Sequence, residues 1–280
     1  MKRSTAAVLF LATAPFGTAD AQWAQGAPGR VWWKSALFVQ ATGDRYNSEA
    51  TREPFFANGR STARAVYTDI IVGVTSRFDL WFQIPFLDLE FDNAAQDRRE
   101  TGVGDIRGWG RFELTRLAGG RLPISVRLGA KLPIGSNPTD AEIIPLGEGQ
   151  WDLEGFVEGG YSFWPAPFYA VTWLGYRARF NNSEIATDPG GEFVVLSEFG
   201  ATPGNRLILK ATFDAFWGRG WVKDRVEVPS AARRIAILQL GSGVRIAGPL
   251  WIESGVRFPL AGRNIPAGVQ WVFGGSAQLR

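Results

Sequence analysis

From Ile124 to Leu132 the chain alternates without a break. Ile124, Val126, Leu128, Ala130 and Leu132 fall on one side, and Ser125, Arg127, Gly129 and Lys131 on the other. A period of two places successive side chains on opposite faces of a strand. Charges on one face and aliphatics on the other describe a sheet with one wet and one apolar surface. The rhythm returns over residues 32–41, 62–74, 78–91, 102–114, 150–163, 168–180, 191–201, 206–217, 233–246, 250–258 and 267–279, which makes about twelve strands. The connectors alternate as well. Long polar segments such as 42–61, 92–101, 133–149, 181–190 and 218–232 take turns with short ones at 75–77, 116–121, 164–167, 202–205 and 247–249. Short turns at one end and long loops at the other predict a transmembrane antiparallel up-and-down β-barrel, closed so that no strand edge is exposed. A soluble periplasmic β-sandwich also alternates, but its connectors have no reason to stay in phase. An even strand count predicts both termini on one side, the periplasmic one.

The first residues are not expected to join that fold. Lys2 and Arg3 precede an apolar stretch over 6–14, and Ala19-Asp20-Ala21 fits a signal-peptidase site. Residues 1–21 therefore read as a secretory signal peptide and 22–280 as the barrel, because the apolar run is too short for a spanning anchor. The chain is expected in the bacterial outer membrane, in contact with its lipid. The formal charge of +3 falls to +2 once Lys2, Arg3 and Asp20 are removed, and the arginines are scattered. That argues against a nucleic-acid partner. There is no Cys for a disulfide framework. There is no His either, which excludes Ser–His and Cys–His nucleophile pairs and imidazole metal sites. No cofactor or metal and no enzymatic activity are expected. Asp92, Asp97, Asp140, Glu142, Glu148 and Asp188 lie in connectors without calcium-loop spacing and read as solvated.

The wet faces carry the candidate functional residues. Asp105, Arg107, Arg111, Glu113, Arg127, Lys131, Asp152, Glu154, Glu158, Arg177, Arg179, Lys210, Asp214, Arg245, Glu253 and Arg257 point inward on the alternation. Opposite charges on adjacent strands are expected to pair across the lumen. They admit two readings: a network that braces and fills the barrel, or a selectivity constriction. Trp81, Trp109, Phe156, Trp173 and Phe216 also point inward, where rings either pack the interior or line a path for an apolar solute. Trp81, Trp109, Arg111, Arg127, Lys131, Phe156, Glu158, Trp173, Arg177 and Phe216 are the residues expected to line such a path. Trp151, Tyr161, Phe163, Trp164, Phe168, Trp217 and Trp251 gather at strand ends, where interfacial girdles form.

Several segments resemble a known family. Gly73-Val74-Thr75 with Ile84-Pro85-Phe86, Gly102-Val103-Gly104-Asp105, Lys131-Leu132-Pro133-Ile134-Gly135 and Leu146-Gly147-Glu148-Gly149-Gln150-Trp151-Asp152 together are similar to the outer-membrane proteins of the phenol-degradation meta-pathway family. The resemblance runs from Val66 to the end and implies an outer-membrane barrel with a part in uptake of hydrophobic or aromatic compounds. One departure is the last strand, which ends Ala277-Gln278-Leu279-Arg280 without the terminal aromatic that commonly assists recognition by the assembly machinery. The expected function is therefore a monomeric barrel passing or binding small apolar solutes. The alternative is a structural or surface-interaction barrel with a closed, charge-filled lumen.

Overall fold

The computed structural model describes residues 28–279 apart from 139, 141–142, 183–186, 205 and 224. The expected signal peptide, Glu142 and Arg280 lie outside the described residues. Twelve strands form the wall: β1 Val31–Thr42, β2 Arg60–Gly73, β3 Phe78–Asn93, β4 in two arms Gln96–Val103 and Ile106–Leu117, β5 Leu122–Leu132, β6 Asp152–Ser162, β7 Phe168–Arg179, β8 Glu192–Ala201, β9 Leu207–Gly218, β10 Arg234–Ala247, β11 Leu250–Arg263 and β12 Gln270–Gln278. Each pairs antiparallel with its sequence neighbours. The ring closes where β1 meets β12, from Trp32↔Gln278 to Gln40↔Gln270. Closure leaves no unpaired edge to seed aggregation or face lipid.

Burial alternates along every strand and sorts the side chains inside out. Phe82, Ile84, Phe112, Leu128, Val157, Leu174, Phe199, Leu240, Ile252 and Phe273 are exposed on the outer face, while Asp79, Arg111, Lys131, Glu154, Glu192 and Arg257 are buried within. An apolar surface of that extent is unstable in water and stable in hydrocarbon, so lipid is the solvent of the outer wall.

Three local expectations need correction. The segment 92–101, expected as a loop, is mostly strand: β3 and the first arm of β4 run on as a paired ribbon from Phe86↔Val103 to Asn93↔Gln96. Its polar residues give no hydrophobic alternation to read, because ion pairs such as Arg99–Asp88 at 2.8 Å and Arg64–Asp88 at 3.0 Å replace lipid contact there. Trp251, expected in the interfacial girdle, is buried on the inward face of β11, beneath the Arg245 guanidinium at 4.9 Å. The loop between β5 and β6, expected in solvent, folds into the mouth of the barrel. Its Leu146 joins a buried apolar cluster with Phe38 of β1, Tyr67 of β2, Leu87 of β3 and Val272 of β12.

The other long connectors carry structure of their own. Residues Asp44–Tyr46 of the β1–β2 loop pair with Arg52–Pro54 of the same loop on one side and with Ile265–Pro266 of the β11–β12 loop on the other. Residues Thr187–Asp188 of the β7–β8 loop pair with Trp221–Lys223 of the β9–β10 loop.

Candidate functional site

At the mouth, buried charges form one connected network. Lys131 of β5 has no solvent exposure and meets three carboxylates: Glu148 at 2.5 Å, Asp152 at 3.1 Å and Asp105 at 3.3 Å. Glu148, on the infolded loop, also pairs with Arg179 of β7 and with Arg233 at 2.9 Å. Glu192 of β8 binds Arg177 at 2.7 Å, Arg233 at 3.0 Å and Arg179 at 3.1 Å. Glu154 of β6 closes the chain with Arg107 at 2.5 Å and Arg177 at 2.7 Å. Five cations (Lys131, Arg107, Arg177, Arg179, Arg233) thus face five carboxylates (Asp105, Glu148, Asp152, Glu154, Glu192). Buried charges are tolerated when each finds an opposite partner with hydrogen bonds to match.

The infolded loop is tied down at its backbone. Strand β4 breaks at Gly104-Asp105, and the freed Asp105 carboxylate accepts the N–H of Gly135 at 3.1 Å and of Glu148 at 2.9 Å. Both legs of the loop therefore hang from one side chain. Gly147 is required there, because a Cβ would stand 2.4 Å from the Asp105 Oδ1. Burial pushes the Glu148 carboxyl up, but Arg179, Lys131 and Arg233 outweigh it and hold the group well below the usual carboxylate range.

Deeper in the lumen lies an aromatic corner. Trp81 and Trp173 stand edge to face at 86° with centroids 5.8 Å apart, and Trp109 meets Trp81 at the same distance. The Arg127 guanidinium fills the corner, 4.0 Å from the Trp173 ring and 4.3 Å from Trp81, with Trp109 and Phe156 each at 5.9 Å. Its carboxylate partner is Glu158. Cations over indole faces gain from the ring quadrupole, more so when desolvated. The indole N–H of Trp109 donates to Glu154 at 2.8 Å and that of Trp81 to Asp69 at 3.0 Å. The buried Trp173 N–H has no hydrogen-bond partner among the described residues.

Cross-strand glycines make room for these rings. A Cβ on Gly129 would lie 2.1 Å from the Trp109 ring, and one on Gly175 would lie 2.2 Å from Phe156. Each ring lies flat over the inward glycine of the next strand.

The ten residues expected along a path are all inward, but they do not form one group. Trp81, Trp109, Arg127, Phe156, Glu158 and Trp173 converge at the corner. Arg111 lies beside it, bound to Asp79 at 2.7 Å and facing Glu158 at 3.7 Å. Lys131 and Arg177 belong to the mouth network. Phe216 is elsewhere, packed with Ile235, Ile237 and Ile265. Sequence reasoning missed Glu148, in a connector read as solvated, and Arg233, which opens the expected strand 233–246 but was not counted among its inward charges. Only the glycines flanking Glu148 hinted at a close approach.

No protein-family model matches the chain, and no curated protein is similar to it in sequence. Solved structures are similar in fold. The COG4313 outer membrane channel from Pseudomonas putida F1 superposes with a TM-score of 0.77 at 13% identity, covering 90% of this chain and 96% of that one. The chain is an outer-membrane β-barrel. The translocator domain of the autotransporter NalP from Neisseria meningitidis gives a TM-score of 0.51 at 10% identity, over 90% of this chain and 89% of that one. The β domain of the Bordetella autotransporter BrkA also gives 0.51, at 12% identity, over 90% and 100%.

Proposed function

We propose that this barrel passes or binds small solutes, apolar or aromatic ones above all, without catalysis. The observation that carries the reading is the aromatic corner around Arg127. Four rings converge on one buried cation in the lumen, and one indole N–H there has no acceptor among the described residues. Ring faces and edges hold aromatic solutes through area burial and edge-to-face contact, each pair adding about 0.5–1.5 kcal/mol. The guanidinium now occupying the corner is the group a solute would displace toward Glu158. Similarity in fold to an outer membrane channel supports passage of a small solute. The barrel acts as a monomer inserted by the outer-membrane assembly machinery, with termini periplasmic and long loops outside.

Liposomes containing the protein should take up small aromatic solutes faster than empty ones, and Trp173→Ala should change that flux more than the flux of a non-aromatic solute of equal size. Absence of both permeation and solute binding would overturn the proposal. The mouth network favours a second reading, a closed barrel that serves through its outer loops. Planar-bilayer recordings separate the two: a barrel silent both as wild type and as Glu148→Gln is the closed one.

A further inference from the structure

The outer wall carries a pocket at its rim, apart from the mouth network and the aromatic corner. At the long-loop end of the outward face, Trp217 of β9, Arg234 of β10 and Arg263 of β11 are successive cross-strand partners and stand abreast. The next row toward the short turns is Ala215, Ala236 and Ala261, again partner to partner. Trp217, Arg234 and Arg263 beside the small Ala236 and Ala261 leave a hollow of about 440 Å³, roofed by residues 48–50 of the β1–β2 loop. Beside it β11 bulges, its register shifting opposite Ala236 and Ile237.

The charges in this hollow are not balanced. Two arginines directly opposite on antiparallel strands repel. Arg263 donates its Nε–H to the Ser48 carbonyl at 2.5 Å, and neither arginine has a carboxylate partner among the described residues. Glu49 is the one acid lining the hollow, and it makes no ion pair there. Two cations against one acid leave a positive pocket beside an interfacial Trp and above an apolar floor.

We propose that this hollow binds a phosphate-bearing lipid. The two guanidinium groups take the phosphate through charge-assisted hydrogen bonds, which relieves their repulsion. Trp217 sits at the headgroup level, where indoles concentrate. The acyl chain runs over Ala236 and Ala261 toward the next outward pair, Leu238 and Phe258. With the long loops outside the cell, the ligand is the phosphorylated glycolipid of the outer leaflet.

Calorimetric titration of the detergent-purified barrel tests this with three probes: diphosphorylated lipid A, its dephosphorylated counterpart and inorganic phosphate. The wild type should bind the phosphorylated lipid at least about tenfold tighter than the dephosphorylated one, a ratio in keeping with one charge-assisted bond. Arg234→Gln with Arg263→Gln should abolish that preference, and Ala236→Trp should block both lipids by filling the floor. The heat-dependent gel shift of a folded barrel verifies each variant. Equal binding of the two lipids by the wild type, equal binding by wild type and double variant, or inorganic phosphate binding as tightly as lipid would each overturn the proposal. The wild-type comparison needs no variant, so a folding defect cannot mask the outcome.

Discussion

The mouth and the aromatic corner are both buried and both charged, yet they hold their ions in opposite ways. Glu148 at the mouth is surrounded by three cations, and its carboxylate meets a partner on every side. Arg127 in the corner has one carboxylate and otherwise leans on ring faces, with its Nε left without a hydrogen bond. A fully partnered carboxylate fixes the loop that carries it. On the reading proposed above, Arg127 is the cation a flat solute would displace, and the lumen holds a brace at its mouth and a binding place beneath it.

The largest effect should come from breaking the brace. Glu148→Gln leaves Lys131, Arg179 and Arg233 short of a shared counter-charge and should cost about 3–5 kcal/mol. It should lower the thermal midpoint of the detergent-solubilised barrel and raise its bilayer conductance if the loop lifts. A wild-type midpoint would show that the network is not what holds the loop. The two tryptophans divide next. Trp109→Phe strands the Glu154 oxygen that now accepts the indole N–H and should cost about 1.5–3 kcal/mol. Trp173→Phe removes an N–H that bonds nothing, so the loss should be confined to area, about 1 kcal/mol. Equal losses in chemical unfolding would erase the distinction drawn between them.

The smallest effect concerns pH. The folded Glu148 carboxyl lies below its unfolded value, so its contribution is fully present above the usual carboxylate value of about 4.3 and fades as the pH falls toward the depressed folded value. Conductance and thermal midpoint should hold steady from neutrality to mildly acid buffer, with loop release only in more strongly acid solution. Release near pH 6 would mean that another group holds the loop.

The wall of this molecule was legible in its sequence because its physics is local. A period of two with one apolar face is written into each strand, and connector length is visible without coordinates. The inward address of the ten residues expected along a path followed from the same parity. Which of them meet did not follow, because register and tilt decide that Arg127 reaches Trp173 two strands away while Phe216 stays apart. The infolded loop was the least legible part. Segment 133–149 is polar and aperiodic, and its place in the mouth depends on Asp105 catching two backbone N–H groups across a broken strand. Trp251 misled for a related reason: an aromatic near a strand end looks the same whether it faces lipid or lumen.

The even count at the mouth bears on which ions an opened barrel would admit. With the loop seated, the five cations and five carboxylates of this network among the described residues cancel one another. Four of those carboxylates are anchored in or beside the wall, whereas Glu148 rides on the loop. A loop that swung out would take Glu148 from the network and leave its five cations facing four acids. The pore would then prefer anions, a selectivity generated by the act of opening rather than by any residue of the resting wall.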